Sequence, residues 1–459
     1  MSNSQKSKVG IIGAGPSGLA MSLFLNSSTQ ILEKAKNPGG HASSFLKEGF
    51  TFDYGPHIMF SKNQAVLEFM IQSLGANVQK CRRNNKISFK NKLIKYPFEN
   101  DLKSLPPEDN FACLKGFVNN PYQAEYPHPK NMREWMLKTF GAGICDRYLF
   151  PYNEKVWNIA VEKLSMAWAD RIPNPPSDDI IKSAIGFETE GYLHQLYYHY
   201  PKKGGYQAIC EAWAKGADIQ YGFNVRSIER TKQGGFIVSD GTDGLEYSGL
   251  VSTMPIQELV KCLRFSVPQE ITDAINRLIV NPMIVVSIGI RGVDTDQFTA
   301  IYFPEADFLV NRLSYPCTFS QGNAPEGHYS VQAEITCLPD SKTWNLNDSE
   351  IRDHVRNGLL SRGLIKDPSQ IIFEDVRRCS RSYVVYDVDY ESNVMKIRKY
   401  FDDQNLHLVG RFSFFEYVNV DMAVERALKV SSRLNGDGQS QAPLLDHQAL
   451  LDRALAKIS

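Results

Sequence analysis

At 459 residues, 42% of them hydrophobic, the chain is too long for one ordinary domain and apolar enough to bury sizeable cores. Lys plus Arg and Asp plus Glu both number 51, so no global field recruits nucleic acid or an anionic membrane. The 8 cysteines show no CxxC or metal-ligand spacing, no apolar run approaches a membrane span of about 18–20 residues, and the polar MSNSQKSK leads directly into the first strand, so a cytoplasmic protein with reduced thiols, no metal and no signal peptide is expected.

The short β-branched run 9-VGII-12 predicts a strand, G-A-G-P-S-G a tight turn, and LAMSLFL a helix. In that unit Gly13 makes the turn, Gly15 lets backbone amides approach a diphosphate, and Gly18 lets helix and strand pack closely, with Ser17 counted among the cofactor-binding residues of the same turn. A second apolar pair, Ile31-Leu32, ends in Glu33, twenty residues after Gly13, where a carboxylate accepts hydrogen bonds from a ribose. Gly39 and Gly40, followed by His41, stand just beyond the acid, where a plain NAD domain runs on into another βα unit. A second glycine pair there points to FAD, whose ring system needs further close backbone approach.

Farther along, 80-KCRRNNKISFKNKLIK-95 reads as a solvated β-hairpin rather than a nucleic-acid patch. Residues 61–200 otherwise read as mainly helical and aromatic-rich, with proline connectors at 105–107 and 173–176. From 217 alternating strands return, and strand-rich segments at 282–291, 299–303 and 329–337 predict a separate sheet. Then 405-NLHLVGRF-412 gives a strand, 421-DMAVERALKVSSRL-434 a helix, and 435–442 a linker before an amphipathic tail helix. The expected fold class is α/β: a discontinuous Rossmann-like FAD-binding domain (1–60, 201–255 and 395–435), an inserted helical domain (61–200) and an inserted antiparallel β-sheet domain (256–394), with a linker and tail at 436–459.

Taken together, these elements resemble the flavoprotein class that includes amine oxidases, protoporphyrinogen oxidases and UDP-galactopyranose mutases. The finer motifs 50-FTFDYGPHIMFS-61, 96-YPFEN-100, 151-PYNEKVW-157, 168-WADRIPNP-175, 301-IYFPE-305 and 410-GRFSFFEYVNVD-421 are similar, in this order, to segments of the mutases. The resemblance runs from about residue 9 to 430. It implies that Arg171 and Arg312 grip the diphosphate of a sugar nucleotide, a task suited to a permanently charged guanidinium fork. Tyr383 and Tyr417 also contact the diphosphate, Tyr148 stacks on the base, and Tyr96, Asn153, Trp157 and Tyr302 line the substrate side.

His57 would lie over the flavin ring. Val225, Gly410, Arg411, Asn419 and Asp421 complete the cofactor set, with Arg411 meeting the FAD diphosphate and the 421–434 helix directing its positive end at the flavin pyrimidine edge. Glu99 stands where many eukaryotic-type mutases carry glutamine, and 418-VNVD-421 is nearer the bacterial pattern, so the diphosphate grip is better matched than the sugar contacts. The implied activity is a flavin-dependent pyranose-to-furanose mutase in which reduced flavin N5 attacks the anomeric carbon, with NAD(P)H as external reductant. Its partner is a small-molecule sugar nucleotide. The rival reading on the same fold is an FAD-dependent oxidase or desaturase of the protoporphyrinogen or amine oxidase type, which needs an apolar tunnel and no diphosphate clamp.

Overall fold

The computed structural model describes residues 8–190, 196–294, 296–436 and 447–458. The polar start and most of the expected linker, residues 1–7 and 437–446, lie outside the described residues. Five short strands build an all-parallel sheet in the order Leu406–Leu408, Gly249–Ser252, β1 (Val9–Ile12), β2 (Thr29–Glu33) and Ile219–Tyr221. Alternation along these strands separates two cores. Ile11, Ile31 and Val251 face helix α1 (Pro16–Phe24) and the helices Gln207–Ala214, Val420–Asn435 and His447–Ile458, whereas Ile12, Leu32, Leu250 and Leu406 face the helix Tyr390–Asp403. The last of these helices crosses residue 395, so the expected boundary at 394/395 falls inside an element.

A seven-stranded sheet runs in the order Ile371–Val384, Val280–Arg291, His328–Thr336, Arg312–Ser314, Ala300–Tyr302, Asn85–Phe89, Lys92–Lys95. Two expectations are corrected here. The hairpin Asn85–Lys95, expected as a hairpin within the otherwise helical segment 61–200, joins this sheet through a parallel pairing of Tyr302 with Ile87, so the sheet is mixed rather than antiparallel. Nor is the hairpin solvated on both faces. Ile87, Phe89 and Ile94 are buried on one side of the pleat, Lys86 and Lys95 pair on the other, and Lys92, paired with Phe89, is exposed at the turn end of the buried side.

One face of the large sheet is apolar, with Ile284, Val286, Ile288, Ala333 and Ile335 packed against Ile351, Val355 and Leu359 of the helix Asp348–Ser361. The residues that alternate with them, Gln332 and Glu334, carry polar groups to the opposite face. On that face Gln332 Nε2 donates to the Asp53 carbonyl at 2.9 Å, at the end of the strand Phe50–Asp53.

Candidate active site

The cofactor turn is built from close backbone contacts. At Gly13, φ is +99°, and a Cβ on Gly18 would stand 2.0 Å from the Gly13 carbonyl oxygen, so only glycine lets α1 rest on the end of β1. Helix α1 starts without a side-chain cap, which leaves its first amides to a ligand. The Gly39 amide donates to the Ala14 carbonyl at 2.9 Å, bringing the second glycine pair against the first turn. Buried Glu33 accepts from the amides of Ala14 (2.7 Å) and Ala35 (2.8 Å), which fixes its carboxylate while leaving lone pairs for hydroxyl groups. Gly410 packs on Ser17, and Val225 is buried, its carbonyl accepting from Cys262 Sγ at 3.6 Å. Uncapped amides, an oriented acid and no Cβ in the cradle fit a dinucleotide.

At the other end of this site lies the loop that follows the strand Phe50–Asp53. Asp53 is buried and accepts from Ser44 Oγ (2.6 Å), the Tyr206 amide (2.9 Å) and Tyr200 Oη (2.8 Å); burial raises its pKa to about 6 against these hydrogen bonds. This network holds Tyr206 with its ring 5.3 Å from that of His57. His57 Nδ1 is 2.8 Å from the Gly55 carbonyl. A carbonyl only accepts, so Nδ1 carries the proton and Nε2 presents a lone pair. Burial first, and then the charge of Arg411, depress the His57 pKa to about 3. The ring is therefore neutral at physiological pH. Gly55 has φ +84°, and a Cβ there would lie 3.7 Å from Glu334, so this loop rests directly on the polar face of the large sheet.

On that face Arg312 pairs in register with Glu334 and with Tyr302. Its Nε and Nη2 donate to the Glu334 carboxylate at 3.1 and 2.8 Å, leaving Nη1 without a protein acceptor among the described residues. Nothing in the local sequence of 306–316 calls for a cation at 312. The structure corrects that reading, because Glu334 is 0% exposed and requires one. Tyr383 Oη also donates to Glu334, at 3.4 Å, and the Tyr383 ring lies 5.6 Å from that of Tyr417 at 22°. Arg171 ends the short helix Met166–Arg171, and its Nη2 donates to the Tyr417 carbonyl (2.6 Å) and contacts Met422 Sδ (3.1 Å). Its partner is thus not the adjacent Asp170. The two arginines bracket the two tyrosines.

Arg411 lies over the Tyr417 ring at 4.2 Å and donates to the carbonyls of Val418 (3.2 Å) and Ser382 (3.3 Å). Its guanidinium is turned into the tyrosine cluster, so only Nη2 is left for the expected FAD diphosphate contact. The His41 ring lies 4.9 Å from that of Phe412, tilted by 50°. Asn419 caps the helix Val420–Asn435 without a side-chain bond, and Asp421 in the first turn bonds Ser61, its pKa raised by burial. An acid there weakens the positive end expected of this helix.

Three expected substrate contacts are placed differently. Tyr148 is buried, near-parallel to Phe98 at 5.0 Å and to Tyr152 at 5.4 Å, and so is occupied by protein rings rather than open to a base. Residues Cys145–Leu149 form a π turn, which advances the helix by an extra residue and presents Tyr152 beside Tyr302 (5.6 Å) instead. Asn153 and Trp157 are buried and satisfy each other, indole Nε1 to Asn153 Oδ1 at 3.3 Å, while Asn153 Nδ2 donates to the Leu149 carbonyl. Trp157 still supports the cluster from beneath, with its ring 5.6 Å from Tyr383 and 5.9 Å from Tyr417. Tyr96 packs on Tyr302 at 5.1 Å, and Asn85 donates to the Tyr302 hydroxyl at 3.2 Å. Sequence reading missed Glu334 and Tyr152. The signal for Glu334 was an acid inside the otherwise apolar alternation VQAEIT.

The sequence model of the family described as flavin containing amine oxidoreductase matches residues 17–435. The UDP-galactopyranose mutase of Mycoplasma pneumoniae (strain ATCC 29342 / M129 / Subtype 1) is 27% identical over 177 residues, 35% of this chain and 43% of that protein. The 4,4'-diapolycopene oxygenase of a Methylomonas sp is 33% identical over 81 residues, 17% and 16% of the two chains. The match thus spans less than half the length of either relative. Among solved structures, a reduced UDP-galactopyranose mutase superposes with TM-score 0.87 at 23% identity, covering 98% of this chain and 97% of that one. A putrescine oxidase bound to putrescine gives 0.68 at 14%, covering 93% and 98%. These are likenesses of fold. No helix among the described residues is long and apolar enough to cross a membrane.

Proposed function

The chain belongs to the flavin containing amine oxidoreductase family, and from that premise we propose that it is an FAD-dependent mutase that interconverts the pyranose and furanose forms of a nucleotide-activated hexose, as a UDP-galactopyranose mutase does. The observation that carries this reading is the contiguous set Arg171, Tyr417, Tyr383, Glu334 and Arg312 on the polar sheet face beside the His57 loop. A polar, cation-bracketed face suits a diphosphate and does not suit an apolar amine, porphyrinogen or polyene.

Reduced FAD, when bound, supplies N5 as the nucleophile at the anomeric carbon, and NAD(P)H is the external reductant. The protein's part is to bind and orient. Arg312 Nη1 and the unshared nitrogens of Arg171 receive the negative charge that grows on the departing diphosphate and hold it for recapture. Stacking of Tyr383 on Tyr417, supported by Trp157, fixes the phenol groups between the two cations. Neutral His57 offers Nε2 as an acceptor without adding a positive charge of its own.

The test is turnover by reduced, anaerobic protein with a panel of sugar nucleotides, separated by chromatography. Furanose product with no stoichiometric loss of reductant is expected, because ring contraction leaves the sugar's oxidation level unchanged. In a parallel aerobic incubation, stoichiometric oxygen uptake per product would instead establish the oxidase reading.

A further inference from the structure

Lys155 lies on the helix Phe150–Trp157, two residues from Asn153 and Trp157, yet it points away from both. Its Nζ donates to the main-chain carbonyls of Phe303 (2.8 Å), Glu305 (2.8 Å), Phe308 (2.6 Å) and Val310 (2.8 Å). All four belong to one loop, the connection between the strands Ala300–Tyr302 and Arg312–Ser314. A neutral amine has two hydrogens and a lone pair that would repel a facing carbonyl. Four inward carbonyl oxygens therefore specify an ammonium, one of whose three donors is shared. Burial pulls the Lys155 pKa down to about 7, and the nearby Glu305 opposes that shift.

The loop is fixed at a second level. The Phe303 amide donates to the Asn311 carbonyl (3.1 Å), the Asn311 amide to the Glu334 carbonyl (2.9 Å), and the Thr336 amide to Asn311 Oδ1 (3.0 Å). Thr336 Oγ1 donates in turn to the Lys155 carbonyl at 3.2 Å. The residue after Asn311 is Arg312 and the residue before Phe303 is Tyr302, so both strands that leave the loop carry side chains of the proposed site. Turn propensity does not explain the loop's shape: four carbonyls converge on one point, and without a cation there they would repel one another.

We propose that Lys155 is a positioning residue: its ammonium gathers the Phe303–Val310 carbonyls and thereby sets Arg312 and Tyr302 on the polar face of the sheet. The consequence for ligand binding rests on the sugar-nucleotide reading above, whereas the positioning itself does not.

The test uses the FAD-loaded protein, Lys155→Ala and Lys155→Met, with n-propylammonium as the probe that replaces the deleted Cγ–Nζ fragment. In Lys155→Ala, amide hydrogen exchange across 303–314 accelerates, while exchange in α1 and the flavin content stay at parental values. Added n-propylammonium restores protection in Lys155→Ala and not in Lys155→Met, whose side chain fills the space. The affinity for UDP falls about 10- to 100-fold in Lys155→Ala, the scale on which outer partners of metal ligands act, and recovers with the amine. In an Arg312→Ala background the same change lowers UDP affinity less than in the parent, because only Tyr302 is then left to misplace. Parental exchange across 303–314 in Lys155→Ala, or failure of the amine to restore it, overturns the proposal. So does an equal loss of UDP affinity with and without Arg312. If the parent itself does not bind UDP, the sugar-nucleotide reading falls, and the exchange experiment still decides the role of Lys155.

Discussion

Arg312→Ala has two separable effects, because Arg312 faces both the proposed ligand site and a buried acid. Glu334 is 0% exposed and takes two guanidinium nitrogens, so truncation leaves an uncompensated buried carboxylate, which costs about 3–5 kcal/mol of stability. With an unfolding entropy of about 2.1 cal/mol/K per residue, a chain of 459 residues has about 1 kcal/mol/K, and Tm falls by about 3–5 °C. Toward the ligand only Nη1 is free, so one charge-assisted hydrogen bond is lost, about 1.5–3 kcal/mol or roughly one to two powers of ten in UDP affinity. Arg312→Ala/Glu334→Gln removes the buried charge, so most of the lost Tm returns. The lost affinity does not. Scanning fluorimetry reads the first effect, UDP titration the second, and flavin absorbance per protein confirms that the cofactor stays. An Arg312→Ala protein with parental Tm would refute the buried-charge argument, and a double variant with parental UDP affinity would refute the clamp.

Other expectations follow from single residues. Gly18→Ala would put a methyl carbon 2.0 Å from the Gly13 carbonyl oxygen, so the purified variant should lose at least tenfold of its flavin absorbance while the sheet fold persists by circular dichroism; full flavin content would contradict the cradle. The His57 pKa lies near 3 in the fold against about 6.5 unfolded, so the unfolded state takes up the proton first, and stability falls as pH drops through 6.5 toward 3. His57→Gln should flatten that part of the stability profile, and in the parent the ring's nitrogen resonances should not titrate between pH 5 and 8. Glu99 has the opposite sign: burial raises its pKa to about 7, so its contribution is intact below its unfolded value and is lost as pH rises through 7. Glu99→Gln should therefore gain Tm relative to the parent at pH 8 and not at pH 4, and an equal gain at both would refute the assignment.

The cofactor end of the molecule was legible because its determinants are local. Gly13, Gly15, Gly18 and Glu33 lie within twenty-one residues, and strand, turn and helix each follow from the chain's own steric preferences, so their order along the sequence is nearly their order in space. The α/β class and the helix that starts near 420 were readable for the same reason. The other end was not. The pairing of Arg312 with Glu334 is set by antiparallel register across 22 residues, and no local pattern distinguishes an arginine that neutralises a buried acid from one that waits for a ligand. That Tyr152 rather than Tyr148 lies beside Tyr302 depends on a π turn, whose single extra residue shifts helical phase without any mark in the apolar pattern. The hairpin Asn85–Lys95 shows its alternation plainly, but which of its faces is covered depends on the strand Ala300–Tyr302, more than 200 residues away. Lys155 is the extreme case. Its four partners are main-chain oxygens, which every residue possesses, so their convergence on one ammonium is a property of the folded backbone and of no residue type.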